Sequence, residues 1–166
     1  MAQKIGSAIS GQIIQLITAP AGANSTLAAL SAADSAPAAA LDTAQIRAQN
    51  VAPDLMERGE TVSYPAVNVY CEKLVNALTE KSRSFSGSAH MVVEVRHSVD
   101  RLAGLQDALE LYTDAVTATL NASRGDWGNG MFYAGGYEVS FTAVKHGGRN
   151  FIQTAKIALE IGVSIN

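Results

Sequence analysis

Between Val99 and Leu120 the apolar residues Val99, Leu102, Leu105, Leu109, Tyr112, Val116 and Leu120 recur at steps of three or four. That period puts one apolar stripe along a helix and leaves Arg101, Asp107, Glu110 and Asp114 off the stripe. A helix is expected over residues 98–121. Ser98 is its N-cap, Asp100 suits the positive end of the dipole, and Gly125 lies just beyond the far end. One face should lie on a sheet and the other should meet water.

On both sides of this helix the period changes to two. Residues 64–71 supply Ala66, Val67, Val69 and Tyr70 behind Pro65 and read as a first strand. In residues 89–97, Met91, Val93 and Val95 alternate with His90, Val92, Glu94 and Arg96. Residues 137–145 alternate Tyr137, Val139, Phe141 and Ala143 against Glu138, Ser140 and Thr142. Residues 151–163 alternate Phe151, Ala155, Ile157, Leu159 and Ile161 against Thr154, Lys156 and Glu160. His146, Gly147, Gly148 and Arg149 make the turn between these two strands. At about 3.3 Å per residue the last strand exceeds the usual length, so one end of the hairpin should project beyond the sheet.

The remaining segments carry weaker patterns. Ile5, Ile9, Ile13, Leu16 and Ile17 predict an amphipathic helix over residues 3–18, stopped by Pro20. Residues 20–42 are rich in Ala and Ser and read as a linker or a meandering surface segment. A short helix capped by Asp42 is expected over 42–50, and a turn of helix at the start of 72–81. A mobile loop is expected over 82–88, and a glycine-rich loop with Trp127, Phe132 and Tyr133 over 122–136. The expected fold is a single α+β domain in the order α-β-β-α-β-β. Its sheet is mostly antiparallel and four-stranded, with helices packed on it. Residues 1–63 form an N-terminal helix and Ala/Ser-rich segment, and residues 64–166 form the core domain.

Composition narrows the functional classes. The 166 residues carry a net charge of −3, which argues against a nucleic-acid binder relying on bulk basicity. Residues 137–166 hold three basic and two acidic residues, a local positive bias too small to steer polyanions. Only 16% of residues are charged, against about 25% in an average domain, which suggests that part of the surface is covered by other subunits. The single cysteine, Cys71, lies among Val67, Val69 and Leu74 and reads as a buried, inert thiol. Lys4, an apolar stretch and small residues at 19–23 mimic a secretory leader. Gln12 and Gln15 interrupt that stretch, and the stripe favours a helix. No membrane span is expected.

Candidate chemistry is sparse. His90, His97 and His146 match no zinc spacing, so no metal or cofactor is expected. There is no nucleophile elbow, phosphate loop or dinucleotide fingerprint. The glycines at 125–130 follow a helix and lack the strand-loop-helix context of a phosphate cradle. Asp107, Glu110 and Asp114 read as solvated charge on a wet helix face. Large rings on a glycine-rich loop either fold back on the sheet or anchor a partner. Trp127, Phe132 and Tyr133 are therefore contact candidates. Phe85 with Arg83 forms a second set, and Lys145, Arg149 and Lys156 a third.

The element order resembles the tail-terminator and neck proteins of tailed bacteriophages. Three stretches carry the resemblance: residues 64–70 (YPAVNVY), residues 90–98 leading into the long helix, and the closing hairpin with residues 141–145 and 151–161. Together they cover roughly residues 60–166. The resemblance implies a non-enzymatic virion protein, made in the host cytoplasm. It forms a ring, usually of six subunits, that caps the tail tube and joins it to the head. The implied partners are further copies of the chain, the tail tube protein and a head connector protein, with no membrane and no specific nucleic-acid binding. Two alternatives are a head-completion or connector protein of the neck, and a small enzyme with its site under loop 122–136.

Overall fold

The computed structural model describes residues 4–35, 37–59, 62–147 and 149–166. Its helices are α1 (Ile5–Thr18), α2 (Ala23–Asp34), α3 (Pro53–Gly59) and α4 (Leu105–Ala122), with a 3-10 turn at Thr43–Gln45. Its strands are β1 (Ile46–Arg47), β2 (Ala66–Asn76), β3 (Phe85–Val99), β4 (Gly125–Gly128), β5 (Met131–Tyr133), β6 (Tyr137–Phe141), β7 (Lys145–Gly147) and β8 (Asn150–Ile165).

The expected four-stranded, mostly antiparallel sheet is overturned. Among the described residues the chain is α+β with four helices and an eight-stranded mixed sheet, curled into a half-barrel. Its spatial order is β1-β2-β3-β8-β5-β4, with β6 and β7 also paired to β8. β1 runs parallel to β2, and the other pairs are antiparallel. Three short strands share the second edge of β8: β7 at its start, β6 in the middle and β5 near its end.

The extra strands have local causes. Residues 137–145 break after Phe141, where Thr142 bonds to Thr154 O through both its backbone N–H (2.9 Å) and its hydroxyl (3.3 Å). The glycine-rich loop is a hairpin, because Asn129 (φ 52°) and Gly130 (φ 75°) take the left-handed conformations of a tight two-residue turn. Gly130 also accepts a 2.8 Å bond from Ser164 N at the end of β8. β1 spans two residues, too few to show any alternation.

Other boundaries also move. β3 and β8 run on to Val99 and Phe151, which keeps Ser98 and Val99 in the sheet. α4 therefore starts at Leu105 behind Gly104 (φ 79°), Leu102 is 60% exposed, and Asp107 rather than Asp100 occupies the first turn. Residues 23–34, expected as linker, form α2, whose Ala23 and Leu27 are buried. Alanine is the strongest helix former, so this segment needs no broad apolar stripe. Asn24 ties down the chain beyond it by bonding both backbone groups of Leu41 (2.7 and 3.0 Å). Asp42 does cap a turn through Ala44 N (2.9 Å), but the turn is 3-10. β2 continues to Asn76 through a bulge between Cys71 and Lys73, where a helical turn was expected.

Paired residues share a face of the sheet, so the register sorts the side chains. Val67, Val69, Met91, Val93, Val95, Ala155, Ile157 and Ile161 stand on one face. They are buried with Ile9, Ile13 and Ile17 of α1 and Leu109, Tyr112, Val116 and Leu120 of α4. Gly6 lets α1 approach β2, since a Cβ there would sit 2.7 Å from that of Cys71. Cys71 is half-buried, and burial raises its thiol pKa.

Leu109 is fully buried. We expect Leu109→Ala to cost about 2–5 kcal/mol in chemical denaturation. Leu102→Ala should change stability by no more than about 0.5 kcal/mol. Equal losses at both positions would contradict a helix that begins after Leu102.

Candidate functional site at the two ends of the longest strand

β8 has 16 residues, so its ends lie about 50 Å apart. The residues singled out in the sequence divide between these ends. At the C-terminal end, Phe85 pairs with Ile165, and the β4–β5 hairpin docks through Met131 opposite Val163 and Phe132 opposite Gly162. Tyr133 is fully buried and its hydroxyl donates to Gly136 O (3.3 Å), so it belongs to the core rather than to a contact surface. Trp127 is half-buried. Its ring lies 5.5 Å from that of Tyr133, and its Nε1 donates to Ser123 O (2.6 Å). Phe132 points the other way and is 52% exposed. Phe85 is half-buried against the core, and Arg83 reaches the Glu80 carboxylate (3.2 Å) and the Asn166 side chain. The buried side chains of Met131 and Tyr133 lie beneath the hairpin.

At the opposite end Lys145 and Arg149 are exposed. Lys145 and Lys156 meet over a half-open hollow of about 330 Å³, walled by Val51, Pro53, Ile152 and Thr154. Its floor is a buried polar network. Tyr70 donates its hydroxyl to Glu94 Oε1 (2.8 Å), and Arg96 donates from Nε to Glu94 Oε2 (3.1 Å) and also from Nη2. Arg96 further donates to Val51 O (2.6 Å) and reaches Met56 Sδ (3.0 Å), while Lys156 Nζ lies 3.4 Å from Glu94 Oε1. Arg96 and Glu94 are nearly fully buried.

Burial alone would raise the Glu94 carboxyl pKa. The hydrogen bonds from Tyr70 and Arg96 and the charges of Arg96 and Lys156 outweigh it, and the net shift is downward. The Tyr70 phenol moves up, first from burial and then from donating to that carboxylate. Sequence reading missed this network because Glu94 and Arg96 lie on the polar-alternating face of β3. The chain through Val51 and Met56 then covers that face. The available signal was an Arg two residues from a Glu on one strand face within an otherwise apolar run.

The other titratable groups stay apart. Asp107, Glu110 and Asp114 are exposed on α4, and Glu110 accepts from Gln106 (2.9 Å). His90 lies 3.6 Å from Glu160, His146 meets Phe151 edge to face, and His97 lies against Tyr112 with its pKa lowered by burial. Among the described residues no group of three His, Cys, Asp or Glu could hold a metal ion. Among the described residues no single helix is long and apolar enough to cross a membrane. In comparisons with known proteins, no protein-family model matches the chain and no curated protein matches it.

The Glu94 network sets a pH dependence. With the folded pKa below the ordinary value of 4.5, the unfolded state binds more protons as the pH falls. This stabilisation is therefore complete above that value and is lost as the pH drops through the folded pKa. In denaturation series between about pH 3 and 6, Glu94→Gln should be less stable than wild type at the upper end, with the gap narrowing on acidification. A gap that widens on acidification would refute the assignment. Glu94→Ala, which strands Arg96, should cost about 3–5 kcal/mol near neutral pH.

Proposed function

We propose that this chain is the subunit of a closed ring, of six copies, that ends a bacteriophage tail tube and joins it to the head. One observation carries the reading. A pair of long strands separates two different ends, one with the exposed Phe132 ring beside Arg83 and Asn166, the other with Lys145 and Arg149, while Lys156 lies near mid-strand. A ring built with its strands along the axis has those ends as its two axial faces. Its subunits meet through two different patches that close after one turn. Such a ring is two-sided. Tube subunits pair with one face only, and the other face is left for a head connector protein. Termination is then steric and requires no turnover.

Under this proposal the protein works in the tail or neck of the virion, and its partners are its own copies, the tube protein and the connector. Phe132 is an exposed ring on a rigid hairpin, which limits the ordering cost of an axial contact. Trp127 is the poorer probe, because its ring packs against Tyr133.

Light scattering across a concentration series should give a particle near six times 17.3 kDa. Added to polymerising tail tube protein, the chain should shorten the tubes seen by electron microscopy and occupy one tip of each. Phe132→Ser should keep cooperative unfolding and weaken capping by roughly tenfold or more in concentration. A strict monomer that leaves tube length unchanged would sink the reading.

A further inference from the structure

We infer that copies of this chain join edge to edge, β6 of one subunit adding as a strand to the outer edge of β2 in the next. This rests on the ring reading and names the contact that closes it. β6 (Tyr137–Phe141) has β8 on one side and, among the described residues, no strand on the other. β1 covers β2 only at Val67 and Asn68, which leaves residues 72–76 with β3 on one side alone. The open edge of β6 is five residues long and the regular open stretch of β2, beyond its bulge, is the four residues 73–76; the two lie on opposite sides of one curled sheet.

The β6 edge lacks the usual protection, whereas the β2 edge carries Glu72, Lys73 and the bulge between Cys71 and Lys73. Open strands in soluble proteins are blunted with Lys, Pro or an inward charge. β6 instead exposes Tyr137 and Phe141 at 39% and 40%, with Glu138 as its one charge. On β2, Leu74 is 44% exposed beside Lys73. Thr142 N donates to Thr154 O at the end of the β6–β8 ladder, so by alternation Tyr137, Val139 and Phe141 direct their backbone groups away from β8.

The faces also match. Tyr137, Val139 and Phe141 pair with Leu159, Ile157 and Ala155, which places them on the helix-covered face. Leu74 pairs with Ala89 and stands on that same face. Glu138 pairs with Ala158 and Lys73 with His90, both on the opposite face.

Direction follows from symmetry. Three successive antiparallel pairings (β2–β3, β3–β8 and β8–β6) make β6 run opposite to β2 within one subunit. Rotation about an axis along the strands preserves that relation, so β6 meets the neighbouring β2 antiparallel. The centred register sets Val139 opposite Leu74 and Ser140 opposite Lys73. Lys73 is then diagonal to Glu138, within reach of its long side chain. On one face Val139 then meets Leu74, with Tyr137 opposite Asn76 and Phe141 opposite Glu72; on the other the Lys73–Glu138 diagonal is the one charge pair. A second copy fits the edge in direction, and at Val139–Leu74 and Lys73–Glu138 in face and charge.

The test uses assembly of the full chain. In wild type, the amides of Tyr137, Val139 and Phe141 should gain protection from hydrogen exchange as the ring forms. Glu138→Lys should raise the concentration at half-assembly about fivefold, and Lys73→Glu added in the same chain should restore it. Leu74→Lys, an exposed change on the other edge, should block assembly while leaving the monomer folded. If wild type forms rings and every variant forms them equally well, the edge pairing is overturned and the ring reading stands. If wild type never assembles and caps no tubes, both fall. A monomer whose same amides are protected only by added tube protein gives the edge to a foreign strand and overturns the pairing.

Discussion

Everything in this fold depends on the antiparallel pairing of β3 with β8. All 15 residues of β3 have a partner on β8, from Phe85 opposite Ile165 to Val99 opposite Phe151. A slip of one residue would turn every side chain to the other face, so the register decides which residues meet the helices. Met91, Val93, Val95, Ile157 and Ile161 satisfy it on one side, while Val92, Glu94, Arg96, Lys156 and Glu160 take the other. The long pairing also accounts for the short strands. β8 offers a second edge too long for one neighbour, and β5, β6 and β7 occupy it piecewise.

That second face explains the buried charges. Near Glu94 and Arg96 the sheet is covered by the chain around Val51 and Met56. Arg96 bonds to both Glu94 and Val51 O and so joins the cover to the sheet. Removing either charge strands the other in a poorly hydrated place, where the loss exceeds what the intact pair contributes. The arrangement acts as a registry device more than a source of stability. It fixes where residues 50–56 lie, and with them the wall of the hollow beneath Lys145 and Lys156.

Legibility in the sequence followed the strength of periodicity. The alternation of β3 and β8 and the stripe of α4 were readable because burial on one face imposes a period. Element ends were less so. Val99 and Leu102 continue the helical spacing, yet Val99 serves the sheet and Leu102 faces solvent. α2 lacked a signal because Ala23 and Leu27 are its only buried residues, and small side chains suffice for close helix packing. β1, β4, β5 and β7 are two to four residues long, too short for a period to show, and β1 and β5 also depend on partners far away in sequence. At the candidate surfaces, residue type identified the aromatic and basic clusters. Only tertiary structure separates Phe132, which is exposed, from Tyr133, which is buried beside it.

The same pairing constrains how the chain can assemble. Fifteen paired rungs make the sheet stiff along the strands, and among the described residues β6 and the 73–76 stretch of β2 each keep one side unpaired. A flat sheet with such edges would add copies without limit, as aggregating strands do. A curled sheet that adds copies at a fixed rotation closes after a set number and leaves no edge exposed. Under the proposed reading, exposed Tyr137, Phe141 and Leu74 are tolerable because closure covers them. The ends of the strands, which closure cannot cover, are where specificity for other proteins has to reside.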